Sequence, residues 1–194
     1  NGIRLVIELK RDAIPKVVLN KIYKHTPMQS TFGVNMVALV DGVPKTLNLR
    51  ELIHNYVDHQ REVIMRRTQF ELRQAEARAH ILEGLLVALD NLDEVIALIR
   101  SSRDPEAARN DLQDKFGLTE IQAHAIVEMR LRQLTALESD KIKAEHADLM
   151  ERIAELREIL GSEERVMALI KEELGEIRER FADERRTEIT HSEH

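Results

Sequence analysis

A few side chains in this 194-residue chain have the types and spacing that could do chemistry. In "HNYVDHQ", His54 and Asp58 stand at i, i+4, and His59 follows Asp58 directly. Two ligands at that spacing on a helix can share a metal. However, His54 and His59 are five apart and no third ligand is evident, so a solvated helix surface is the better reading. Glu120, His124 and Glu128 repeat at i, i+4, i+8, which local charge pairing along a helix explains. His146 falls in an apolar seam, where a polar residue specifies register. Tyr23 and Tyr56 are the two tyrosines. A tyrosine nucleophile needs acids, a metal or a basic cluster to activate it. Tyr23 has Lys21, Lys24 and His25 beside it in "NKIYKHT", but reads better as a residue packing a short helix on a sheet. No P-loop, G-x-G-x-x-G or G-x-S-x-G motif occurs. No catalytic, cofactor-binding or metal-binding residue is therefore assigned, and no cofactor is expected in this chain.

The elements that carry these residues are mostly helical. One third of the chain is charged, only 3% is aromatic, and glycine and proline are few, a composition of elongated helical proteins. The absence of cysteine excludes a disulfide framework and cysteine-based zinc sites. The longest clean apolar runs, "LLVAL" among them, are far short of a membrane span, and no signal peptide is visible. The opening "NGIRLVIELK" looks like the middle of a strand, so the chain reads as a piece of a larger polypeptide.

Residues 1–47 read as a small α+β module. Residues 3–10 alternate like a strand. Asp12 is placed to cap a helix that has Pro15 in its first turn and buries Val18 and Ile22. "STFGVNMVALVDGVPKTLNL" predicts a hairpin turning at Asp41–Gly42. Asn48 and Glu51 form a capping-box start for a long helix over 48–89. Its apolar positions Met65, Thr68, Leu72, Ala75, Ala79, Leu82, Leu86 and Leu89 step by threes and fours, a heptad seam. Residues 90–136 break into short helices that form a compact knot. Asp90 or Asp93 starts one, Asp104–Pro105 a second and Thr119 a third. A second heptad arm follows over 137–181, with Ile142, His146, Leu149, Ile153, Leu156 and Leu160 on its seam and a break near 161. Residues 182–194 form a tail. The expected fold is mainly α with a small α+β module: a long antiparallel coiled-coil hairpin, about 60 Å long at 1.5 Å per residue, with a compact helical domain at its tip.

Three groups of residues stand out on this scaffold. "IQAHAIVEMRLRQLT" reads as a helix with Ile121, Ala125, Ile126, Met129 and Leu134 on an apolar face, a candidate homodimer interface. Residues 1–50 carry eight lysines and arginines against three acids, a balance of +5. With −6 over the whole chain, residues 51–194 carry −11. Lys10, Arg11, Lys21 and Lys24 are therefore candidates for contact with a polyanion such as duplex DNA. Gly161 and Ser162, a helix-ending glycine before a capping serine, are the hinge candidates.

The stretches "IELKRDA", "YKHTPMQSTFGVNMVALVDG", "HQREVIMRRTQFELRQAEARAHILEGLLVALDNLDEVIALIRSS", "IQAHAIVEMRLRQLTALE" and "DERRTEI" closely resemble the DNA gyrase A-chain family, part of the type IIA topoisomerases. The resemblance runs from about Gly2 to Ile189. It implies the end of the tower domain, the coiled coil, and the dimerisation domain of the exit gate, or C-gate, through which the transported duplex leaves. It further implies a homodimer, the gyrase B polypeptide as partner in an A2B2 holoenzyme, duplex DNA as substrate, a cytoplasmic bacterial location and no membrane. ATP and Mg would be used by other domains or polypeptides. Neither Tyr23 nor Tyr56 matches the motif of the family's catalytic tyrosine, so the chain alone should be inactive. Two other readings are the corresponding fragment of topoisomerase IV and a structural coiled-coil adaptor without a DNA role. A third, a metal-dependent hydrolase using the His/Asp/Glu sets, predicts bound metal.

Overall fold

The computed structural model describes residues 4–129 and 136–190. The chain divides into two compact units, residues 1–53 and 54–194.

In the first unit, α1 (Pro15–His25) opens on a proline at its first position, where the missing N–H has no intrahelical partner in any case. The cap position is Ile14, which makes no side-chain cap. Asp12 therefore does not cap this helix: Pro15 fixes the start too far along for its carboxylate. Val18 and Ile22 are half-buried on α1, and Ile7 and Leu9 share an apolar pocket with them. Residues 4–10 form no strand. Their alternation is real, but a strand persists only where a ladder partner holds it. Among the described residues the sheet consists of β1 (Val37–Val40) and β2 (Val43–Thr46). Those two pair antiparallel, with Val40 opposite Val43 across a two-residue turn. Asp41 and Gly42 both take positive φ, 53° and 76°, the conformation that two-residue hairpin turns of this hand demand.

The long helix α2 (Leu49–Asp90) begins as the sequence predicts. Asn48 N–H donates to Glu51 Oε2 at 2.9 Å and Glu51 N–H to Asn48 Oδ1 at 2.9 Å, a reciprocal cap. In the second unit α2 is followed by α3 (Leu92–Ser101), α4 (Pro105–Phe116), α5 (Glu120–Val127), α6 (Ala136–Gly161) and α7 (Glu163–Phe181). The N-cap of α3 is Asn91, not Asp90 or Asp93. Asp104 caps α4 by accepting from Ala107 N–H at 2.7 Å. Gly117, at φ 65°, ends α4, a left-handed position that glycine fills without a Cβ clash.

α6 and α7 return along α2. Ala75 and Ala79 pack with Ile153 and Leu156, and Ile64 packs with Ile159, Val166 and Ile170. Leu82 and Ile142 share the core at the tip. Positions that increase along α2 thus meet positions that decrease along α6 and α7, the antiparallel arrangement. The seam is offset slightly from the predicted one. Thr68, Ala75, Ala79 and Leu82 are buried as expected, whereas Ile64, Leu85 and Ala88 are buried in addition and Met65, Leu72, Leu86 and Leu89 are half-buried.

Ion pairs bridge the same two arms. Arg61 meets Glu163 at 2.8 Å, Glu71 meets Arg152 at 2.7 Å, Glu76 meets Arg157 at 2.6 Å and Arg78 meets Glu145 at 2.7 Å. Arg67 pairs with Glu173. The hydrogen bond from Arg78, reinforced by its charge, holds the Glu145 carboxyl below its ordinary pKa. These pairs are partly exposed, so each adds little stability. Together they fix which residue faces which.

Candidate functional site

The tip is built where α3, α4 and α5 fold between the two arms. Its core joins Leu82, Leu85 and Ala88 of α2 with Val95, Leu112, Leu118, Ala123, Ile126 and Ile142. α5 is seated by polar as well as apolar contacts. Thr119 and Gln122 form a capping box. The Gln122 side chain is buried; its Oε1 accepts from Thr119 N–H at 3.0 Å and its Nε2 donates to the His80 carbonyl at 2.7 Å. The His80 ring, through Nε2, lies 2.7 Å from Thr119 Oγ1. All this happens over Gly84. A Cβ at that position would stand 2.6 Å from Gln122 Cβ and 2.7 Å from its Cγ.

The residues of the predicted apolar face therefore do not behave alike. Ile121 is 61% exposed, while Ile126 is 3% exposed and belongs to the core. Ala125 and Met129 are half-buried against that core. The helix expected over 121–135 stops at Val127, and Met129 lies beyond it, its N–H bonded to Ile126 O. The i+8 relation that placed Met129 on one helix face with Ile121 is thus broken. Leu134 lies outside the described residues. Beside Met129, a groove of about 280 Å³ runs between α3 and the end of α5, lined by Val95, Ile96, Ile99, Ile126 and Val127 among others.

The other candidates are placed as follows. Lys10, Arg11, Lys21 and Lys24 are all exposed, the last two on α1. Gly161 is the last residue of α6, and Ser162 caps α7 by accepting from Arg165 N–H at 3.3 Å. His54 Nε2 lies 3.4 Å from Asp58 Oδ2, both largely exposed. Glu128 is the C-cap of α5, its N–H donating to His124 O at 3.0 Å, and Glu120, His124 and Glu128 are all exposed. Among the described residues no group of three or more His, Asp or Glu converges as metal ligands do. His146 Nε2 is 3.4 Å from Glu83 Oε1 across the seam. Tyr23 is 39% and Tyr56 48% exposed. No described helix is long and apolar enough to cross a membrane.

Sequence reasoning passed over Gly84, Gln122 and His80. The one signal was a glycine inside an otherwise strong helical pattern, "HILEGLL", which marks close approach of another element.

This arrangement can pair helices and present an apolar tip; what it belongs to is decided by comparison with known proteins. The model of the DNA gyrase/topoisomerase IV family, for its A polypeptides, matches residues 1–175. The chain belongs to that family. Among gyrase A polypeptides, that of Halalkalibacterium halodurans is 58% identical over 193 residues, covering 100% of this chain and 23% of the relative. That of Clostridium acetobutylicum is 51% identical over 193 residues, with the same coverage. That of Staphylococcus epidermidis is 54% identical over 188 residues, 97% of this chain and 21% of the relative. The chain thus spans about a quarter of the length of the gyrase A polypeptides it matches. The gyrase-like stretches read in the sequence fall largely on α2, the tip and α5, so the family relation and the helical hairpin describe the same residues.

Proposed function

We propose that this chain is the coiled-coil and exit-gate portion of a gyrase A polypeptide, homodimeric through its tip. The gate opens to release the transported duplex during ATP-dependent negative supercoiling by an A2B2 holoenzyme in the bacterial cytoplasm. ATP and Mg act on other domains or polypeptides, and this portion alone carries no cleavage activity. The observation that carries the reading is Ile121, 61% exposed on a helix whose neighbours Ala123 and Ile126 are buried. A rigidly seated α5 that holds an isoleucine out to solvent suits a contact that must form and release repeatedly. Sedimentation tests it. Ile121→Asp should weaken dimerisation roughly tenfold or more while leaving helical content intact, because the side chain lies outside the core. Ile126→Asp should instead unfold the tip. A variant at 121 that stays fully dimeric places the interface elsewhere.

The break between α6 and α7 at Gly161–Ser162 serves as the hinge of the opening arm. A helix end leaves backbone groups without intrahelical partners, and this one divides the returning arm into α6 and α7. Lys10, Arg11, Lys21 and Lys24 supply the contact with duplex DNA, supported by their exposure and by the +5 balance of residues 1–50. Replacing Lys21 and Lys24 together with alanine should lower duplex affinity for all sequences. It should flatten the log–log salt slope by about 0.9 for each phosphate no longer neutralised. An unchanged slope would remove both lysines from the interface.

A further inference from the structure

The break in the returning arm has a specific keeper on α2. Among the described residues, the backbone bonds at the break are Ser162 N–H to Ile159 O at 3.3 Å and Val166 N–H to Ser162 O at 3.2 Å. The angle between α6 and α7 is therefore held also by what both helices grip in common. Ile64, 0% exposed, shares a cluster with Ile159 on one side of the break and with Val166 and Ile170 on the other. One turn earlier, Arg61 reaches Glu163, the first residue of α7, at 2.8 Å, with its guanidinium also against Met167 Sδ at 4.0 Å and Asp58 at 3.9 Å. A pair from Arg165 to Glu158 at 3.3 Å spans the break from within the arm.

Arg61 is unusual in one respect. Its Nε is shut off from solvent and meets no acceptor among the described residues. A buried N–H without a partner is costly, and swinging the side chain out would return it to water. The same residue therefore gains from its bond to Glu163 and loses from its buried Nε. We infer that Arg61 is the positioning residue of the hinge, a clamp that holds α7 against α2 in the closed arm and releases with little net cost, while Ile64 remains as the fulcrum. This rests on the hinge reading of Gly161–Ser162.

Amide hydrogen exchange on the full chain, at low and high salt, tests both together. In the unmodified protein, residues 159–166 should exchange faster than the middles of α6 and α7; if they do not, the hinge itself is wrong. Arg61→Met keeps the apolar stem beside Met167 and removes the charge. It should speed exchange at 159–166 by roughly two- to fivefold, the range of an exposed ion pair, and reduce the salt dependence expected of the unmodified protein, leaving only what the Arg165–Glu158 pair contributes. Glu163→Gln, on the exposed partner, should reproduce both effects without touching the packing. If fast exchange at the break persists in the unmodified protein but neither variant alters it or its salt dependence, the clamp is refuted and the hinge stands.

Discussion

Replacing Leu82 with alanine is expected to lower the stability of the helical unit by about 2–5 kcal/mol, the cost of emptying a filled core site. Leu82 is 0% exposed and shares its cluster with residues of α3, α4, α5 and α6. Those neighbours belong to several separately anchored elements, so they cannot close over the gap by one small shift. Equilibrium urea unfolding followed by circular dichroism measures the change. Leu86→Ala serves as the control: Leu86 is half-buried at the edge of the same cluster, and its loss should be smaller. A Leu82 variant that loses less than about 1 kcal/mol would mean that the tip repacks freely, which is incompatible with a core shared by so many elements.

Gly84→Ala is expected to destabilise, although the same change in a free helix would help. Alanine is favoured over glycine in a helix interior by about 1 kcal/mol. Here the new Cβ would stand 2.6 Å from Gln122 Cβ and 3.3 Å from its Cα. The Cα belongs to α5's backbone and cannot rotate away, so α5 must shift off α2. Overpacking of this kind costs about 1–3 kcal/mol, and the shift also stretches the bond from Gln122 to the His80 carbonyl. Thermal unfolding gives the sign directly. A raised midpoint would mean that α5 has room to move and that its seat on α2 is loose.

What the sequence made legible follows from how local each signal is. The Asn48–Glu51 pair, the caps at Asp104 and Thr119 and the Asp41–Gly42 turn each depend on residues within four positions, and all are present where read. The seam was legible in period but displaced in phase. Apolar residues at 64, 65, 85 and 86 stand side by side, and only the partner helix decides which of each pair turns inward. The strand expected over 3–10 is absent from 4–10, and the helix expected over 121–135 ends at Val127, for a different reason. Alternation or periodicity shows that an element could bury a face, and whether a ladder or a packing partner arrives is decided elsewhere. At the candidate interface, Ile121 and Ile126 are equivalent by pattern. The core on α2 separates them, drawing Ile126 in and leaving Ile121 outside. Gln122 gives no sign in the sequence of being buried, because it packs against Gly84, thirty-eight positions away.

The ion pairs along the arms carry information that the apolar seam lacks. A seam of leucine, isoleucine and alanine looks nearly the same after a slide of seven residues, so it cannot by itself forbid one. Arg78 faces Glu145 and Glu71 faces Arg152, and in each helix the two members of this set lie seven residues apart. A slide of one heptad in one direction would bring Arg152 opposite Arg78; a slide in the other would bring Glu145 opposite Glu71. Either error sets like charges face to face, while the native alignment has neither. The pairs thus act as an error check on alignment, worth little as glue and much as discrimination. If the arm bends at the hinge proposed at Gly161–Ser162, it can return to one register only, and each closing would restore the same tip to the same position.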